Sequence, residues 1–116
     1  MCDSAILYQL PAHKIVEVRL DRKCLAWLTS QPPGETRRKV EGMLDTLKER
    51  VDAGDYVPRS LWPKHPAYDG LSNLFRYEID RAMRASYTIR RQGDKYTVRI
   101  IEIFPDHKSY ERRFRY

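Results

Sequence analysis

The stretch LFRYEIDRAMRASYTIRRQGDKYTVRIIEIF, residues 74–104, decides the fold of this chain. Apolar and polar residues alternate over residues 74–79 and 83–90, and a third, more apolar stretch covers residues 96–104. Alternation with a period of two is typical of half-buried strands, and turn-forming residues separate the three stretches. The segment therefore predicts three consecutive strands in an antiparallel meander.

The two faces of this meander are predicted to differ in polarity. Apolar side chains such as Phe75 and Tyr87 point to one face, which we expect to pack on helices. The opposite face collects the polar side chains of Arg76, Glu78, Arg84 and Ser86. We expect this polar face to be open and able to hold an extended polyanion. The third strand is apolar on both sides, which is typical of a central strand.

The sequence before the meander predicts one strand and two helices. Alternation over residues 14–20 indicates a strand, and Asp21 marks the start of a short helix that ends before Pro32. A longer helix is predicted between Pro33 and Gly54, because its apolar residues recur every three or four positions. These helices supply the apolar faces that the sheet needs for a core.

The loop that follows the helices, residues 54–72, contains three prolines and two glycines. We predict a long irregular segment there, anchored on the core by its aromatic side chains. Residues 1–13 are predicted to form an N-terminal extension. The whole chain, residues 1–116, is predicted to be a single α+β domain, with one antiparallel β-sheet and two N-terminal helices packed on one face.

Positive charge is concentrated in the C-terminal part of the chain. Residues 76–116 hold eleven Lys or Arg against six Asp or Glu, and nine of the eleven are Arg, whose planar guanidinium suits phosphate oxygens. A nucleic acid is therefore an expected partner, the alternatives being solvation of an exposed sheet or an acidic protein. We expect a cytoplasmic protein without a membrane segment, because no apolar run approaches the ~20 residues of a span.

The final segment FPDHKSYERRFRY, residues 104–116, mixes the groups that RNA cleavage requires. RNA supplies its own nucleophile, the 2′-hydroxyl, so cleavage needs a base, an acid and cations that neutralise the developing phosphorane. His107 is a candidate acid or base, because imidazole titrates near neutral pH. Arg84, Arg76 and Lys108 are candidate cations. No cofactor or metal is expected, because the three histidines are far apart in the sequence and no acidic or cysteine cluster accompanies them.

The order of predicted elements, together with LFRYE at 74–78, MRASY at 83–87 and HKSYERRFRY at 107–116, resembles the RelE/ParE toxin superfamily, in particular its RelE-like branch. The resemblance spans roughly residues 14–116. It implies the toxin of a type II toxin–antitoxin system, an mRNA interferase that cleaves mRNA on the ribosome, inhibits translation and is silenced by an acidic antitoxin. Relatives often have a glycine and an aromatic residue before the strand arginine, whereas Arg81, Ala82 and Met83 stand there in this sequence.

The resemblance also implies roles for particular residues. Arg84 matches the strand arginine that neutralises the scissile phosphate, and His107 and Lys108 match basic or general-acid positions. Tyr110 matches an aromatic hydroxyl that orients or stacks the substrate. Glu78 is a possible general base. The expected RNA-binding residues are Arg76, Arg81, Arg112, Arg113 and Arg115. We expect Arg84 and His107 to converge on one water-facing hollow.

Several alternatives remain open from the sequence. Arg84 can instead pair with Glu78 across the hairpin, and Tyr110 and Phe114 can instead close the core. The terminal arginines can form a plain solvated end. The domain itself can bind ribosomal or other RNA without cleaving it, or act as a ParE-type inhibitor of a protein target.

Overall fold

The computed structural model describes residues 15–114, which form a mixed β-sheet covered on both faces. In chain order the elements of these residues are β1 (Ile15–Leu20), α1 (Arg22–Ser30), α2 (Glu35–Glu49), β2 (Asp55–Tyr56), β3 (Phe75–Glu78), β4 (Arg84–Gln92), β5 (Lys95–Phe104) and α3 (His107–Phe114). Two short 3₁₀ turns, Arg59–Leu61 and Pro66–Tyr68, lie between β2 and β3. The α+β class predicted from the sequence is confirmed.

The strand order across the sheet is β1-β5-β4-β3-β2. β3, β4 and β5 form the predicted antiparallel meander, and β2 pairs antiparallel with β3 at one edge. β1 forms the other edge and runs parallel to β5. The prediction of a fully antiparallel sheet is therefore wrong. Residue alternation identifies a strand but not its direction, which depends here on pairing between residues that are distant in the sequence.

One face of the sheet packs on α1 and α2. Val40, Met43 and Leu47 of α2 are fully buried, as their spacing of three and four residues predicts. They cluster with Cys24 and Leu28 of α1 and with strand residues Ala85, Tyr87, Val98 and Ile100. Burial raises the pKa of the Cys24 thiol to about 12, so this cysteine is an inert core residue.

The opposite face, which was expected to be open, is covered by a second apolar cluster. Residues of the 54–72 segment, of the strands and of α3 form it: Val57, Tyr68, Leu71, Leu74, Ile101, Phe104, Tyr110 and Phe114. Ser86 is 0% exposed beneath this layer, where its hydroxyl lies 2.8 Å from the Tyr68 hydroxyl. The prediction of an open polar groove over Arg76 and Ser86 is wrong, because the loop aromatics and the C-terminal residues fold back onto it.

An irregularity in β5 explains why this strand is apolar on both sides. Ser86 pairs with Glu102 and Tyr87 pairs with Ile100, so Ile101 is an extra residue between the two pairs. Such a bulge shifts the alternation by one position. Ile100 consequently packs in the cluster with α1 and α2, whereas Ile101 packs in the cluster on the opposite face.

The close approach of Gly54 to β4 provides a test of the packing. Its amide donates to the Tyr87 hydroxyl at 2.9 Å, and an added Cβ would lie 2.5 Å from the Arg76 carbonyl and 2.8 Å from the Tyr87 side chain. We expect Gly54→Ala to lower the free energy of unfolding by about 1–3 kcal/mol, measured by chemical denaturation.

The matched control is Gly42→Ala on α2, where an added Cβ meets no atom of residues 15–114 within 4 Å. Because alanine favours a helix, the control is expected to stabilise the protein by up to about 1 kcal/mol. Equal effects of the two substitutions would contradict the tight packing at Gly54.

Candidate active site

The turn between β3 and β4 is organised by the carboxylate of Asp80. Its Oδ1 accepts hydrogen bonds from the amides of Ala82 and Met83 at 2.8 and 2.7 Å, and its Oδ2 accepts one from Lys39 Nζ at 2.9 Å. These contacts, the Met83 amide first, lower the pKa of Asp80 from about 3.8 to about 2. The turn is thereby fixed internally and attached to α2.

Arg84, the first residue of β4, folds back into this turn. Its Nη1 donates to the carbonyl oxygens of Asp80 at 2.7 Å, Arg81 at 3.1 Å and Met83 at 3.2 Å. Glu78 is its register partner on β3, but the guanidinium turns to the carbonyls. Within residues 15–114 its Nε and Nη2 have no protein acceptor, so two donor positions remain for an anion.

His107, the first residue of α3, contacts the same turn. Its Nε2 lies 3.0 Å from the Arg81 carbonyl oxygen, which also accepts from Arg84. A carbonyl can only accept, so this contact assigns the hydrogen of the imidazole to Nε2. Side chains that are 23 positions apart in the sequence therefore converge on one backbone oxygen.

Five of the predicted site residues gather at this end of the sheet, which we call the turn edge: Glu78, Arg81, Arg84, His107 and Lys108. Arg84 is half-buried, and the other four are exposed. Register pairing sets Glu78 beside Arg84 on one face of the hairpin. The turn edge thus combines a carboxylate, an imidazole and three cations within reach of solvent.

Tyr110 and Arg76 lie apart from the turn edge, in the covering layer. Tyr110 is 4% exposed, its ring stacks on Phe114 at 4.7 Å between centroids, and its hydroxyl accepts from Arg76 Nη1 at 3.0 Å. The Arg76 guanidinium also lies 3.8 Å from the Asp55 carboxylate. In this conformation the Tyr110 ring closes the core, which was the alternative to its stacking on a base.

The three terminal arginines differ in environment. Arg113 forms a bidentate ion pair with Glu102, with Nε–Oε1 at 2.9 Å and Nη2–Oε2 at 3.0 Å, which raises the pKa of Arg113. Its guanidinium attaches α3 to β5. Arg112 is exposed on α3, and Arg115 lies outside the described residues.

Two residues that the sequence analysis did not single out position the site. Asp80 orders the turn, and Asp106 begins α3 by accepting from the Ser109 amide at 2.8 Å. The Asp106-x-x-Ser109 spacing, followed by apolar Tyr110 and Phe114 four positions apart, is a helix-start signal that could have predicted α3. Because the cap precedes His107 directly, it sets where the imidazole emerges.

Comparisons with protein-family models, with curated proteins and with solved structures found no match. The resemblance to the RelE-like toxins therefore rests on the quoted motifs alone. Two further findings apply to residues 15–114. None of their helices has the length and apolarity to cross a membrane, and no cluster of three or more His, Cys, Asp or Glu among them could hold a metal ion.

The role of Asp80 leads to a pH prediction. Because its pKa is lower in the folded chain, its contribution to stability is complete above about pH 4 and is lost as the pH falls toward 2. Asp80→Ala should lower the free energy of unfolding by about 1–3 kcal/mol at neutral pH and flatten its acid dependence. Urea denaturation at several pH values measures both effects.

Asp45→Ala is the matched control, because Asp45 is an exposed residue of α2. It should leave the acid dependence between pH 4 and 2 unchanged. An Asp80→Ala protein with the same acid slope as the parent would show that the carboxylate does not order the turn.

Proposed function

We propose that this protein is a RelE-like endoribonuclease that cleaves mRNA by acid–base catalysis at the turn edge. The observation that carries the proposal is the shared contact of Arg84 and His107 with the Arg81 carbonyl. It brings a phosphate-binding cation and a proton-transfer group together at an exposed site. The formal net charge of +6 and the arginine-rich C-terminal part support an anionic substrate.

The proposed reaction uses the 2′-hydroxyl of RNA as the nucleophile. Glu78 takes the proton of this hydroxyl as its oxygen bonds to phosphorus. His107, in its imidazolium form, donates the Nδ1 proton to the departing 5′-oxygen while its Nε2–H stays on the Arg81 carbonyl. The P–O5′ bond breaks, leaving a 2′,3′-cyclic phosphate and a 5′-hydroxyl. Arg84 faces the charge that develops on the phosphorane, and Arg81 and Lys108 hold the neighbouring phosphates.

The resemblance supplies the proposed biological setting. The substrate is mRNA on the ribosome, the location is the cytoplasm, and an acidic antitoxin inhibits the toxin by covering its basic surface. Such a partner fits the exposed cations Arg81 and Lys108 of the turn edge and Arg112 of α3, because none of the three forms an ion pair among residues 15–114.

Substitutions at the turn edge test the nuclease. We expect Arg84→Ala to reduce cleavage of a single-stranded RNA by about 10²–10³-fold and His107→Ala by about 10²–10⁴-fold. Arg84→Lys keeps the charge and should lose less activity than Arg84→Ala. The assay follows the 5′-hydroxyl and cyclic phosphate products with and without ribosomes. A second measurement follows the growth of a susceptible cell after expression of each protein is induced.

Two control substitutions change the same residue types elsewhere. Arg22→Ala removes an exposed arginine of α1, and His65→Asn keeps a side-chain acceptor for the Ala67 amide. Both should cleave RNA at the parental rate, and thermal unfolding shows which variants remain folded. A folded His107→Ala protein with parental cleavage overturns the proposal. If the parent protein binds RNA but yields no cleavage product, it is an RNA-binding domain. If the parent does not bind RNA, its target is a protein.

A further inference from the structure

A second basic site lies at the opposite end of β4 from the turn edge. There a cleft of about 620 Å³ opens between the 70–73 segment and the sheet. Its lining includes Arg19 of β1, Arg90 of β4 and Arg99 of β5, and none of the lining residues between 15 and 114 is acidic. We call it the arginine cleft.

Strand register explains why these three guanidiniums share one face. Arg19 pairs with Arg99 across β1 and β5, Arg99 pairs with Thr88 across β5 and β4, and Arg90 follows Thr88 by two residues. Paired residues, and residues two positions apart, point to the same side of a sheet. Arg91 also borders the cleft, but its guanidinium lies over the Tyr96 ring.

Nearby carboxylates neutralise the arginines only in part. Arg19 Nε lies 3.4 Å from the Glu17 carboxylate, whose Oε1 also lies 3.2 Å from Lys95 Nζ. The buried Arg99 Nε lies 3.1 Å from Asp21 Oδ1, but without the alignment of a hydrogen bond. Arg90 has no acidic partner among residues 15–114. Lys95 and Arg19 lower the pKa of Glu17, consistent with a positive potential here.

The wall of the cleft is fixed by the side chain of Asn73. Its Oδ1 accepts from the Ile89 amide at 2.9 Å and from the Thr88 hydroxyl at 2.8 Å, and its Nδ2 donates to the Ile89 carbonyl at 2.9 Å. Asn73 therefore continues the pairing of β3 with β4 beyond the end of the strand. A wall held by three hydrogen bonds requires little ordering when a ligand enters.

We infer that the arginine cleft binds phosphate groups of single-stranded RNA and is a second contact for the strand held at the turn edge. The inference rests on the proposed function, because RNA is its ligand. Arg84 and Arg90 lie six residues apart on β4, so roughly 20 Å separates the two sites at the rise of a strand. The covered face lies between them, so the RNA would cross the outer surface of the covering layer.

The test removes two exposed arginines of the cleft, in the variant Arg19→Gln with Arg90→Gln. The probe is a fluorescent 2′-O-methyl oligoribonucleotide, which cannot be cleaved because its nucleophile is blocked. By anisotropy we expect affinity about tenfold weaker near 0.1 M salt. The slope of log affinity against log salt should fall by about 1.4, since each contact to a single strand contributes about 0.7.

Arg22→Gln with Arg38→Gln is the matched control, because it removes the same charge from exposed positions of α1 and α2. It should change affinity and slope much less. Equal losses in both variants, an unchanged slope in the cleft variant, or absent binding by the parent would overturn the inference.

A parallel cleavage assay of the parent on unmodified RNA separates this inference from the proposed function. If the parent does not cleave RNA but its binding is weakened by the cleft substitutions, the nuclease proposal is refuted and RNA binding by the arginine cleft is supported. Cleavage by the parent together with cleft-independent binding refutes the cleft and leaves the nuclease standing.

Discussion

A partly buried polar cluster centred on Glu102 holds together the layer on which the site depends. Glu102 accepts a bidentate pair from Arg113 of α3 and a hydrogen bond from the Tyr68 hydroxyl at 2.7 Å. The Tyr68 hydroxyl in turn lies 2.8 Å from the hydroxyl of buried Ser86. The Glu102 carboxylate is half-buried, and partial removal of a charge from water is costly unless the charge is paired and hydrogen-bonded. These partners therefore stabilise it together. The cluster thereby fixes the loop, α3 and the sheet in one arrangement.

This arrangement divides the basic residues into two populations. Arg113 and Arg76 lie in the covering layer, where Glu102, Asp55 and the Tyr110 hydroxyl engage them. The cations of the turn edge and of the arginine cleft lie beyond the layer, at the two ends of β4. The middle of the face is filled, whereas Arg81 and Lys108 at one end and Arg19 and Arg90 at the other are exposed.

The sequence predicts the parts of the fold that depend on local pattern. Period-two alternation predicted the β3, β4 and β5 meander, and the spacing of Val40, Met43 and Leu47 predicted α2. The parallel pairing of β1 with β5 and the burial of Ser86 beneath Tyr68 depend on contacts between distant segments, which local patterns do not encode. The sequence suggested residues of the turn edge. It did not suggest the pairing of Arg113 with Glu102, because that contact also joins separate segments.

The number of arginines in a segment is therefore a poor measure of the charge that it offers to a ligand. A guanidinium that attaches a helix to a sheet is held by a carboxylate, and withdrawing it would leave that half-buried carboxylate without its ionic partner. Arg113 is such a group, whereas Arg84 forms its contacts through one nitrogen to neutral carbonyls. Carbonyl contacts leave the net positive charge intact, so Arg84 can order the turn and still attract a phosphate. The same argument distinguishes Arg90 from the paired arginines of its own sheet, because Arg90 is exposed and has no carboxylate partner within the described part of the chain.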